Sequence, residues 1–285
     1  MTKFADQVLA QYEKNKQSTS GSLNKVSQEE RMKKYFAAIL PKGVRSKEMR
    51  VRLLPTPDGS SPFEEVKLHE IQVDGKWVKL YDPAQEGKPS PLNVVREALL
   101  STGTPEDKEL AKNYRSKTYY IAKLIDRDNE QDGPKFWRFK HNTKQEGVLD
   151  KIVPIVRNKG DITDPLTGRD LILSLSLTKS GNGKEYTTIN SIIPDDASPL
   201  HVDADISAEW VADPLTWEDV YAKKSEEYLD LVARGLTPKW DTALSKYVAA
   251  NAEKEEMTIA GTKGSNPPED EDPQSGEEES EELPF

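Results

Sequence analysis

Between Tyr114 and Lys140 the chain places six aromatic rings (Tyr114, Tyr119, Tyr120, Phe136, Trp137, Phe139) among cations that include Arg115, Lys117, Lys123, Lys135, Arg138 and Lys140. A flat ring offers a face on which another planar group can stack, and an ammonium or guanidinium pairs with a phosphate. Two β-type runs, 117–125 and 134–140, flank a polar turn at 126–133, which predicts a hairpin. Alternate side chains of a strand face opposite sides, so one face can go to a core while the other presents rings beside cations. That combination suits an unpaired nucleic-acid strand. An ordinary core hairpin with a solvated charged face accounts for the same residues, and both readings stand at this point.

The elements that must position the hairpin read as short strands. Residues 48–55 alternate, with Met49, Val51 and Leu53 on one side and Arg50 and Arg52 on the other. Residues 63–73 and 76–81 are joined by Asp74-Gly75, a strong short-range hairpin signal. Leu171, Leu173, Leu175 and Leu177 alternate with Ile172, Ser174 and Ser176, and the SGNG at 180–183 turns that strand into KEYTTINSII. Helices are predicted over 27–39 (Met32, Tyr35, Phe36, Ile39), over 144–157 with Pro154 as its end or kink, and through 207–252. The stretch 82–113 reads as a helical insert. Together the pattern predicts an α+β protein built on an oligonucleotide-binding (OB) type β-barrel, with C-terminal helices and a disordered acidic tail. The expected boundaries are an arm and linker at 1–26, the barrel core with its insert at 27–205, a helical brace at 206–255 and the tail at 256–285.

Composition narrows the class. The chain has 285 residues, no cysteine and a net charge of -10, with a mean hydropathy of -0.76. Disulfides and thiolate metal sites are therefore excluded. No apolar run approaches the roughly 18 residues needed to cross a bilayer, so a soluble intracellular protein without membrane contact is expected. Nine acids and no base lie in 265–285, whereas 108–159 holds 13 bases against 7 acids. A nearly neutral body with a basic middle and an acidic tail follows. The tail ends on Leu283-Pro284-Phe285, an apolar tip on a charged tether, which suits docking to a partner protein.

Several patches resemble the single-stranded DNA-binding (helix-destabilising) proteins of T4-type bacteriophages. They are Val51-Arg52-Leu53-Leu54-Pro55, His69 with Asp74-Gly75-Lys76-Trp77, Lys117-Thr118-Tyr119-Tyr120, Trp137-Arg138-Phe139, and the segment from Asp164-Pro165 to Pro194. The resemblance implies an OB barrel that coats single-stranded DNA in replication, recombination and repair, in the cytoplasm of an infected bacterium. It also implies phage replication and recombination proteins as partners through the tail, and self-association along DNA through the N-terminal arm. The chain departs from the pattern in three places. Relatives commonly hold zinc through one His and three Cys, but here only His69 stands where a ligand would, so no zinc and no other cofactor is expected. The nearest likeness to the basic arm motif, Lys14-Asn15-Lys16-Gln17-Ser18-Thr19, is displaced and less basic. The tip Glu282-Leu283-Pro284-Phe285 is closer to that of bacterial single-strand binding proteins.

Enzymatic chemistry finds little support. Gly181-Asn182-Gly183-Lys184 lacks phosphate-loop spacing. Asp126-x-Asp128-x-Glu130-x-Asp132-Gly133 has its glycine at the wrong position for a calcium loop and reads as a solvated hairpin tip. A metal nuclease built from these acids stays open as an alternative, as do single-stranded RNA binding and a protein-interaction adaptor. The expectation is a non-enzymatic DNA-binding protein. Tyr119, Tyr120 and Trp137 are the leading stacking candidates, followed by Tyr81, Tyr114 and Phe139. Arg50, Arg52, Arg115, Lys117, Arg138 and Lys140 are the phosphate candidates.

Overall fold

A computed structural model describes residues 33–250, apart from 143–145, 182, 184 and 222. In chain order the elements begin with β1 (Tyr35–Phe36), β2 (Ser46–Leu53), β3 (Phe63–Val73) and β4 (Lys76–Tyr81). The insert follows as α1 (Pro91–Thr102) and α2 (Pro105–Asn113), then the central hairpin as β5 (Ser116–Asp126) and β6 (Lys135–Lys140). Next come α3 (Val148–Lys159), β7 (Arg169–Lys179) and β8 (Glu185–Ala197). The C-terminal part holds α4 (Ala204–Ala212), α5 (Trp217–Val220), α6 (Glu226–Ala233) and a hairpin of β9 (Pro238–Asp241) and β10 (Lys246–Ala249).

The fold is mixed α+β around one large, mostly antiparallel sheet. Its strands run β1-β6-β5-β2-β7-β8, and β3 joins β5 on one side and β4 on the other. Among the described strands these pairings do not close into a barrel. Alternation explains the main core: Met49, Val51 and Leu53 of β2, Leu171, Leu173 and Leu175 of β7, and Trp137 and Phe139 of β6 turn to one side. Val148, Ile152 and Ile155 of α3 pack on the same cluster. The buried stripe carries α3 past Pro154 to Lys159, since one missing backbone bond costs less than exposing that stripe. Phe36, Ala38 and Leu40 run from β1 across this core, and the Leu40 N–H donates to Thr187 Oγ1 of β8 at 3.1 Å.

The β3–β4 turn needs Asp74 and Gly75 both at positive φ, 52° and 77°. That conformation matches the strand twist, and Asp-Gly is suited to it. Beyond it, the insert and α6 share a second core of Ile71, Val78, Leu80, Leu92, Tyr228, Leu229 and Val232.

Two helix expectations are corrected. Tyr35 and Phe36 form a parallel strand on Phe136 and Trp137 rather than a helical stripe. Edge pairing and burial of Phe36 in the main core outweigh the weak helical spacing. Residues 238–249 form a hairpin, in which Trp240 and Tyr247 are cross-strand partners at 5.1 Å. Aromatic pairs of this kind favour a sheet. The expected helix at 27–32, the arm and the tail lie outside the described residues. No helix is long and apolar enough to cross a membrane among the described residues.

Candidate functional site

Pairing of β5 with β6 sets Tyr120 opposite Phe139 and Ala122 opposite Trp137, while Tyr119 faces Lys140 and Ile121 faces Arg138. The rings and cations interleaved in sequence are thereby sorted onto two faces.

The inner face is mostly core. Trp137 is 0% exposed, lies 4.7 Å from Phe139 and meets Phe36 edge-on at 5.9 Å. Phe139 is equally enclosed. Neither ring can receive a base, which corrects both expectations. Tyr120 stays half-buried, over an apolar cleft of about 530 Å³ shared with Phe63, Leu149, Val153, Val156 and Arg157. Burial, then the charges of Glu65 and Asp150, push its hydroxyl pKa up. Those two carboxylates make the Tyr120 side a poor place for phosphates.

The outer face carries the positive charge. Register places Gln72 opposite Trp77, Glu70 opposite Lys79, and Leu68 opposite both Tyr81 and Lys117. Tyr119 and Lys140 continue the same face onto β6. Lys79, Lys117, Arg138 and Lys140 thus share one side of the sheet with two acids of β3, Glu64 and Glu70. The Tyr119 hydroxyl and the Lys117 ammonium both donate to the Glu70 carboxylate, and Lys140 Nζ lies 3.8 Å from it. Trp77 stands at the margin, 41% exposed.

Several expected contact residues are committed elsewhere. Tyr119 is only 2% exposed; its ring packs with Val66, Leu68 and Phe136 beneath Trp217 and Tyr221, so it cannot stack with a base. Arg138 is buried among the rings of Tyr35, Tyr119 and Tyr221, at 6.0, 5.5 and 5.2 Å. Tyr81 stacks on Trp217 at 6.0 Å and donates to Glu86 at 2.7 Å. Burial and that bond push its hydroxyl up to about 12. Arg52 is fully buried: it bonds Asp170 at 3.2 Å and the carbonyls of Asp164 and Ser198 at 3.0 and 2.9 Å. A Cβ at Gly168 would sit 2.7 Å from that guanidinium, so the glycine makes the room. Arg52 is therefore a cross-link rather than a phosphate partner. Its strand is covered on both faces at that point. Tyr114 packs half-buried on the insert core. Arg50 and Arg115 stay exposed, Arg50 in a 3.1 Å pair with Asp195. Leu283, Pro284 and Phe285 lie outside the described residues.

Glu70, Trp77 and Lys79 were missed in the sequence. The signal was present: 77, 79 and 81 alternate onto the side that holds Tyr81, and 70 opposes 79 across the hairpin.

His69 is sealed at the junction of sheet and insert. The Tyr114 carbonyl accepts from its Nδ1 at 2.9 Å, and Nε2 lies 3.4 Å from an oxygen of Asp82. Burial alone would raise the Asp82 pKa. The hydrogen bond and charge attraction from His69, with bonds from the Ala84 N–H and the Asn93 amide, prevail and hold it well below the usual carboxylate range. At the expected solvated tip, Asp126 is in fact buried, accepting from Asn129 at 2.8 Å and pairing with Lys135 at 3.3 Å. Among the described residues no group of three or more His, Cys, Asp or Glu could hold a metal ion.

No protein-family model matches the chain, and no curated protein matches it.

Proposed function

We propose that the protein binds single-stranded DNA along the outer face of β3, β4, β5 and β6. One observation carries the reading: Lys79, Lys117 and Lys140 gather on that face around Glu70, Lys117 toward the open side, and Trp77 offers an open ring at its edge. Phosphates would meet the lysines, and a base would lie on Trp77. The resemblance to T4-type single-stranded DNA-binding proteins, and the acidic tail, agree with this use. We further read the sheet as an opened OB-type barrel. Five strands and the 36–40 segment share one core, and the Leu40–Thr187 bond ties the β1 side of the sheet to β8. The role is binding rather than catalysis.

Titration of the purified protein with oligo-dT, oligo-rU and duplex DNA at two salt concentrations tests the reading. Oligo-dT should bind best, and Lys117→Gln with Lys140→Gln should flatten the salt dependence by about 0.7 per lost phosphate contact. Trp77→Ala should weaken binding by about 1–3 kcal/mol if the ring stacks with a base. No binding to oligo-dT, or an unchanged salt slope in a folded double variant, overturns the proposal. The apolar cleft of Phe63, Tyr120, Val153 and Val156 favours a second reading, a module that binds an apolar peptide. Protein capture by the wild type that is lost in Val153→Asp, with DNA binding absent, would select it.

A further inference from the structure

The face assigned to DNA contains an acid that opposes that assignment. Glu70 sits in the middle of β3, only 8% exposed, at the point where the outer face is most positive. Its carboxylate receives the Lys117 ammonium and the Tyr119 hydroxyl, with Lys140 Nζ at 3.8 Å and Lys79 as its cross-strand partner. Two ammoniums and a phenol converging on one pair of anionic oxygens is also how a protein holds a phosphodiester. A carboxylate and a phosphate differ little in what they ask of these donors. The difference is that Glu70 is tethered and always present.

Glu70 has the Lys117 and Tyr119 donors on its carboxylate, Lys140 close by and Lys79 across from it, so it is the point at which the cations of this face are gathered. Lys117, with its side chain 28% exposed, gives the cluster an open side, and that is where a nucleic-acid strand would arrive.

We propose that Glu70 is a built-in stand-in for a backbone phosphate. It holds Lys117, Lys140 and the Tyr119 hydroxyl in place in the free protein and yields Lys117 and Lys140 to a phosphodiester when DNA binds. The inference rests on the DNA-binding reading for its ligand, while the anion site itself can be tested apart from it. The consequence is a weakened, salt-tolerant contact: exchange of one internal anion for an external one gains less than filling an empty cationic site.

The experiment compares wild type, Glu70→Gln and the charge-retaining Glu70→Asp, each checked for folding by thermal melting. Against oligo-dT, Glu70→Gln should bind more tightly than wild type at low salt. Its salt slope should be steeper by about 0.7, so the affinity ratio changes about 5-fold for each tenfold change in salt. Glu70→Asp should stay near wild type. Inorganic pyrophosphate forms the second arm: it should raise the melting temperature of Glu70→Gln and leave wild type almost unmoved. Equal or weaker oligo-dT affinity in a folded Glu70→Gln protein, with no added response to pyrophosphate, overturns the proposal. Should the Gln variant not fold, Glu70→Ala takes its place; failure of both to fold assigns the acid to structure and also overturns it. If wild type does not bind oligo-dT, the DNA reading falls, and the pyrophosphate arm alone decides whether Glu70 masks an anion site.

Discussion

Trp137 illustrates how a side chain of suitable type can be unavailable for binding. Its indole fills the centre of the main core, and its N–H has no hydrogen-bond partner among the described residues. Trp137→Ala should therefore lower stability by about 3–5 kcal/mol, the usual cost of truncating a buried aromatic, as read by urea denaturation. A folded variant of near-normal stability would contradict the burial. Asp82 gives a test in pH. Its folded pKa lies below the unfolded value of about 4, so its contribution is complete above that pH and fades as pH falls through the depressed folded pKa. Melting temperature should fall more steeply in wild type than in Asp82→Asn as pH drops from about 4 to 2. Parallel slopes would mean that the His69 contact contributes nothing.

At the scale of elements, Lys123 adds a polar clamp to the packing of Trp217 and Tyr221 that holds the C-terminal segment over the outer face. Lys123 Nζ donates to the carbonyls of Asp213 and Leu215 at 2.6 and 2.9 Å and pairs with the Asp213 carboxylate at 3.2 Å. Burial pulls its pKa down while Asp213 opposes that pull. Lys123→Met should cost about 1.5–3 kcal/mol for hydrogen bonds to a charged group, with faster amide exchange over 213–221. Exchange unchanged in that segment would show that the packing of Trp217 and Tyr221 suffices without the lysine. Strands were the most legible elements, because alternation over 48–53, 63–73 and 170–178 and the Asp74-Gly75 turn are local signals. The outcome for 35–36 and 238–249 was not legible. There a partner strand distant in sequence, or an aromatic cross-strand pair, decided between helix and sheet. The site was half legible for the same reason. Period two predicts that Tyr119 and Tyr120 part company, but only the covering segment around Trp217 and Tyr221 determines that Tyr119 is enclosed. Arg52 and Arg138 looked like exposed cations because nothing local announces Asp170 or the ring cage.

For the molecule as a whole, charge distribution is the controlling quantity. On the proposed DNA-binding reading, the nine acids of 265–285 would compete with phosphates for the cationic face. Deletion of that segment should tighten oligo-dT binding, most at low salt where screening is weak. Equal or weaker affinity after deletion would remove competition from the account. The Leu40–Thr187 bond has a different consequence, one of timing. It joins residues 147 positions apart, and the hydrophobic interior has no lid until β8 is available to meet the start of the chain. During synthesis on the ribosome, Trp137 and its neighbours would emerge well before that last strand. The newborn chain should therefore be sticky until residues 185–197 have emerged, and folding yield should depend on how quickly that strand follows β6.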